Sequence, residues 1–170
     1  MNNRVAHSVR ICAASLGLML TLAIVAFSQQ QADQTFDAKV SRPAYTSTHP
    51  KVLFDEAHNN FHTMSGRYKP FADLITNDGC QVVPNKEKFE RRTLEGYDVL
   101  EFGTPQEART IPAAGRAQAV VMPFGKGRVA VFGEAAMRSA QNRNFGMNYQ
   151  GTDNRQLVLN VMHWLTGLLR

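Results

Sequence analysis

The stretch "DEAHNNFH", residues 55–62, sets two carboxylates, two imidazoles and two amides within eight positions. These side chains move protons near neutral pH and bind divalent cations. Asp55 or Glu56 with His58 and His62 forms a ligand set for zinc or a similar ion, with Glu134 of "GEAAM" as a further donor. The trio His58, His62 and Glu134 is the metal candidate. The same groups make a hydrolytic set, with Glu56 or Glu134 as general base and His58 as acid–base partner. A third reading needs no reaction: Asp55, Glu56, His58, Asn59, His62 and Glu134, joined by Asn154 and Arg155, bind a small molecule or a protein partner, or simply satisfy loop amides. His58 and His62 share a face only on a helix, and "HNNFH" has weak helical character, so the metal signal is poor. Neither Ser65 nor Ser139 sits in a nucleophile elbow. The residues therefore favour a non-catalytic binding domain with no cofactor, and the alternative is a divalent-metal-assisted hydrolase of a carbohydrate or peptide.

The cluster must be carried by a strand. "KVLF" (51–54) is a short apolar run, as in a buried parallel strand, and the cluster follows it directly. In "SGRYKPFADLITNDG", Phe71, Leu74 and Ile75 fall at helical spacing, Pro70 suits a first turn, and Gly79 suits a left-handed helix end. "CQVV" (80–83) predicts a second strand, "KFERRTLEGY" a short helix or turn, and "DVL" (98–100) a third strand. Strand, helix, strand, turn, strand is the rhythm of a parallel sheet with crossovers. It then breaks. Glu101 stands where another apolar residue is expected, and "GTPQEARTIPAAGRAQ" has no amphipathic pattern.

Order returns with "AVVMPF" (119–124), the turn "GKG" and "RVAVFGE" (128–134), which predict a hairpin. "GKG" lacks the spacing of a phosphate-binding loop. "AAMRSAQ" predicts a short helical stretch. A final helix begins at Asp153, with Gln156 completing a capping box and Leu157, Val161, Trp164, Leu165 and Leu168 on the buried face. If the strand after "GKG" runs parallel to "KVLF" in one sheet, Glu134 and the acid–histidine cluster share the rim where such sheets bind ligands.

Residues 1–28 read as a signal peptide: Arg4 and Arg10 precede the uncharged apolar run 11–27, and Ala26 and Ser28 offer small residues for cleavage. The alternative is an uncleaved anchor, since 17 apolar residues lie near the lower limit for a membrane span. Either way the remainder is exported, to the periplasm or beyond the cell, with membrane contact only through that segment. Residues 29–49 are polar and aperiodic and read as a linker, followed by one α/β domain over 50–170. Loss of Arg4 and Arg10 lowers the net charge of +5 by two, and the remaining basic residues are scattered apart from Arg91–Arg92, which argues against nucleic acid. Cys12 lies in the signal, so Cys80 has no cysteine to pair with after cleavage and is expected to be a buried thiol.

"HPKVLFDEAHNNFHT", "GRYKPFADLITNDG", "FGKGRVAVFGEAAM" and "GTDNRQLVLNVMHWL" together resemble an uncharacterised family of exported bacterial proteins. Its fold is similar to class I glutamine amidotransferases and to the N-terminal domain of the intraflagellar transport 52 family. The resemblance spans residues 50 to about 100 and about 111 to 169. It implies an α/β three-layer sandwich with a mostly parallel sheet and a C-terminal hairpin and helix, and it implies no reaction. The amidotransferases use a cysteine on a strand-to-helix elbow, which is missing here. Family members carry a longer middle section between "YDVL" and "GRAQ", with at least one more strand and helix. Here "EFGTPQEARTIPA" bridges that gap, as an internal deletion would.

Overall fold

Strand β1 (Lys51–Asp55) is the middle of the parallel sheet. Its residues Val52, Leu53 and Phe54 are all buried, as required of a strand covered on both faces. In a computed structural model of the chain, residues 31–58, 62–101, 119–133, 135–141 and 144–170 are described. The N-terminal apolar run and the "GTPQEARTIPAAGRAQ" stretch therefore lie outside the described residues, as do Asn59 and Glu134. Among the described residues, no helix is long and apolar enough to cross a membrane.

β1 pairs in parallel with β2 (Gln81–Asn85) on one side and β3 (Val99–Glu101) on the other, giving the order β2-β1-β3. Helix α1 (Lys69–Asn77) makes the first crossover and buries Phe71, Leu74 and Ile75, the residues its spacing selected. Pro70 occupies its first turn. Its end is a Schellman motif: the Gly79 amide donates to Thr76 O (2.9 Å) and the Cys80 amide to Ile75 O (3.0 Å). Gly79 adopts φ +103°, and a Cβ there would lie 2.0 Å from the Tyr45 carbonyl, so backbone conformation and space both demand glycine. The next connection is the short helix α2 (Arg91–Leu94).

The hairpin forms as predicted, from β4 (Ala119–Phe124) and β5 (Gly127–Phe132), with Gly125 at φ +58° in the turn. It does not join the parallel sheet. Among the described residues, β5 pairs only with β4. The condition that the strand after "GKG" run parallel to β1 in one sheet is thus not met among the described residues, where β5 is hydrogen-bonded only to β4, antiparallel across a two-residue turn. "AAMRSAQ" gives one turn of 3-10 helix (Ala136–Arg138) and then β6 (Ala140–Gln141), which pairs with β7 (Phe145–Gly146).

Helix α3 (Asn154–Leu165) closes the chain, with two differences from expectation. Asp153 makes no side-chain cap; its backbone is not extended (φ −96°, ψ 28°), which turns the carboxylate away from the amides it would cap. Gln156 instead donates to Asn160 Oδ1 (2.9 Å). The buried face is Val158, Leu159 and Met162, while Leu157 and Leu168 are exposed. Apolar residues surround most of this helix, so two stripes one residue apart satisfy the same spacing, and docking chose between them. Trp164 is half-buried, stacked under the Arg128 guanidinium (5.2 Å). Arg128 also donates to Trp164 O and Leu169 O, satisfying carbonyls at the helix end.

The expected linker also packs. Tyr45 and Ala32 are buried, and Phe36, Ala38, Val40 and Ala44 lie against the hydrophobic cluster of β1, α1 and α3. Asp78, 1% exposed, fastens this strap: its carboxylate accepts the Ala44 amide (2.9 Å) and His163 Nε2 (2.6 Å), and its carbonyl accepts the Tyr45 amide (3.0 Å). Isolated apolar residues in a polar stretch have no periodicity to betray them.

Cys80 is buried in this cluster, and burial, with Asp78 and Asp98 adding, pushes its thiol from 9.0 up to about 12. Its thiolate is the reactive form. A thiol reagent at mildly alkaline pH should label Cys80 only as fast as the protein opens. Because the unfolded thiol ionises near 9 and the folded one near 12, the stability tied to Cys80 is complete below 9 and falls as pH rises through that window. Rapid stoichiometric labelling of the folded protein would contradict this placement.

Candidate functional site at the carboxyl edge of the sheet

β1 and β2 end together, with Asp55 opposite Asn85 in the parallel register. Asp55 is 2% exposed. It accepts Asn85 Nδ2 (3.1 Å) and the Ala57 amide (3.2 Å), and its two oxygens lie 2.9 and 3.0 Å from His58 Nδ1. A carboxylate so placed holds the imidazole ring by a proton on Nδ1. The His58 ring packs on Phe89 at 4.3 Å. Asp55 is therefore a positioning residue for His58. Glu56 Oε1 accepts the Met64 amide (2.9 Å) and closes the intervening loop.

His62 reaches a different partner, stacking on Tyr68 with centroids 4.7 Å apart. Burial, then the charges of Arg67 and Arg138, hold its pKa below the usual 6.5, so it is neutral at physiological pH. Tyr68 is a hub: its ring also meets Phe54 (6.0 Å) and the Arg138 guanidinium (5.8 Å), and its hydroxyl donates to Ala135 O (3.0 Å). Arg138 in turn pairs with Glu101. Glu101 ends β3 opposite Phe54, on the same carboxyl edge. Burial raises the Glu101 pKa, and the adjoining guanidinium offsets part of that rise.

Asn154 and Arg155 are committed elsewhere. Asn154 Nδ2 donates to Gly146 O (2.9 Å) and Arg155 to Lys39 O, which tie the start of α3 to the preceding loop and to the strap. Both are side chains of structural bonds here. No group of three or more His, Cys, Asp and Glu that could hold a metal occurs among the described residues. Glu134 and Asn59 lie outside those residues, so the trio His58, His62 and Glu134 is not assembled by what is described.

Beside this edge lies a cavity of about 570 Å³. Among the described residues, its walls include residues 98–101 of and before β3, residues 127–132 along β5, and Val158, Val161, Met162 and Leu165 of α3. Successive residues rather than alternate ones line it from both strands, so each strand presents its edge to the space. Glu101 and Arg138 stand in its wall and join it to the carboxyl edge.

No protein-family model, curated protein or solved structure matches this chain. The site is thus read from its own chemistry. Sequence reasoning located Asp55, Glu56, His58 and His62 but missed Arg138 and the cavity. One signal was present: Glu101 interrupts an apolar strand, and a charge at such a position asks for a buried partner. Nothing in the spacing named Arg138 as that partner, 37 residues on.

Proposed function

We propose that this chain is an exported, non-catalytic α/β domain that binds a small molecule in the cavity between β3, β5 and α3. The observation that carries this reading is an apolar cavity of about 570 Å³ bordered by the half-buried Arg138–Glu101 ion pair, where the parallel strands end. Ligand pockets of about 300–1,000 Å³ with mainly apolar walls and a few placed polar groups are the common form of such sites. Export rests on the basic start and apolar run of residues 1–28. The amidotransferase-like three-layer fold and its shortened middle are part of the proposal. A central strand buried on both faces, and a β3 edge that faces β5 across the cavity, support it.

The neutral dye Nile red should bind saturably, one per chain, with a blue-shifted emission. Ala130→Trp, which fills the cavity from β5, should abolish that binding while leaving a cooperative thermal transition. Dye binding that is unsaturable, or indifferent to Ala130→Trp, would remove the proposal. A second reading, the metal-assisted hydrolase, is favoured by the Asp55–His58 contact, since a carboxylate on Nδ1 leaves Nε2 for a metal or a proton. Metal content after purification without chelator separates the two: stoichiometric zinc, lost in a His58→Ala, His62→Ala double variant, belongs only to the hydrolase.

A further inference from the structure

We infer that the molecule held in the cavity is a short extended peptide, which inserts as a strand between β3 and β5 and hydrogen-bonds to both. This rests on the cavity being the binding site. Backbone direction in the two flanking strands points to a peptide. In β3, the Asp98 amide donates to Lys51 O of β1 (2.8 Å). Backbone groups alternate in direction along a strand, so those of Val99 and Glu101 point away from β1, toward the cavity.

The hairpin obeys the same rule. Phe124 and Gly127 close the two-residue turn as a hydrogen-bonded pair, and bonded pairs alternate with unbonded ones. Arg128, Ala130 and Phe132 fall in the unbonded pairs, so their N–H and C=O groups turn away from β4. Pro123, opposite Arg128, has no N–H to donate to β5 and fits that alternation. The edge that these groups form on β5 lines the cavity.

Among the described residues, the outward backbone groups of Val99, Glu101, Arg128 and Ala130 make no hydrogen bond. Val99 is buried, where unpaired backbone groups are costly. A hydrocarbon ligand would leave them unpaired. A peptide strand carries donors and acceptors on both of its edges and satisfies both walls at once. The β5 edge from Arg128 to Phe132 matches about four peptide residues, ~13 Å of strand. Val158, Met162 and Leu165 of α3 also line the space, so the peptide side chains that meet this helix are apolar. The inserted strand joins β2-β1-β3 and β4-β5 into one sheet.

Calorimetric titration of the full chain with the blocked peptide acetyl-Thr-Val-Thr-Val-Thr-amide, and with the same peptide N-methylated at alternate residues, tests this. The unmethylated peptide should bind one per chain. Methylation removes the donors of one edge and keeps the side chains, and should weaken binding about tenfold or more, the scale of two lost hydrogen bonds. In the unaltered protein, the bound peptide should slow hydrogen exchange at the Val99, Glu101, Arg128 and Ala130 amides, a readout that needs no variant to fold. Ala130→Pro deletes one outward donor without touching the pairing with β4, so it should weaken the peptide and spare Nile red. Equal binding of the two peptides, or binding that leaves those amides exchanging as before, overturns the strand assignment and leaves the cavity reading standing. Saturable binding of Nile red with no binding of either peptide does the same. Binding of neither peptide nor dye overturns both.

Discussion

Tyr68→Ala is expected to lower folding stability by about 3–5 kcal/mol, the cost of emptying an aromatic site in a packed core. Tyr68 is 2% exposed and precedes α1, and its ring touches Phe54 of the central strand at 6.0 Å. It also underlies His62 and Arg138, so its loss removes core volume and the platform of the sheet's carboxyl edge together. Domains are stable by about 5–15 kcal/mol in total, so this single change consumes a large share. Tyr68→Phe keeps the ring but deletes the hydroxyl that donates to Ala135 O at 3.0 Å, and should cost only about 1 kcal/mol. Urea midpoints of the two variants against the parent decide the matter. If the alanine variant loses no more than the phenylalanine variant, the ring is not a keystone and the hub role fails with it.

Asp78→Ala is expected to cost about 2–5 kcal/mol, because two part-buried donors then lose their buried acceptor. The carboxylate receives Ala44 N–H and His163 Nε2 at the point where the strap, the end of α1 and α3 meet. The strap keeps other bonds, including Tyr45 N–H to the Asp78 carbonyl and Tyr45 Oη to Thr166 Oγ1, so it should loosen before the whole domain unfolds. Limited proteolysis should therefore cut Asp78→Ala faster between residues 32 and 45, at a denaturant concentration where the rest resists. His163→Ala combined with Asp78→Ala should show a coupling of at least about 1 kcal/mol in a double-mutant cycle, as contacting residues do. Additive losses, with unchanged cleavage of the strap, would dismiss Asp78 as its fastener.

Both variants act through contacts that the chain order hides. α1 was legible because its apolar residues recur within a few positions and its end needs a glycine at a positive φ; both are local requirements. The β4–β5 hairpin was legible for the same reason, through its two-residue turn. The strap was not, because Tyr45 and Ala32 are apolar residues set singly among polar ones, and only the surface they meet makes them core. The buried stripe of α3 was not, because a helix apolar on most sides carries no marker of which side is docked.

For the candidate site, the amino-acid order by itself determined that acids and histidines follow the central strand, and that Glu101 is a charge in an apolar setting. Those are properties of neighbours along the chain. Tertiary structure alone decided that Asp55 turns inward to orient His58, that His62 and Arg138 meet on Tyr68, and that β3 and β5 leave a cavity between their edges. The physical reason is range. Backbone preference and side-chain period act over one or two turns, whereas the partner of a buried charge is whichever residue the packed chain brings within a few ångströms.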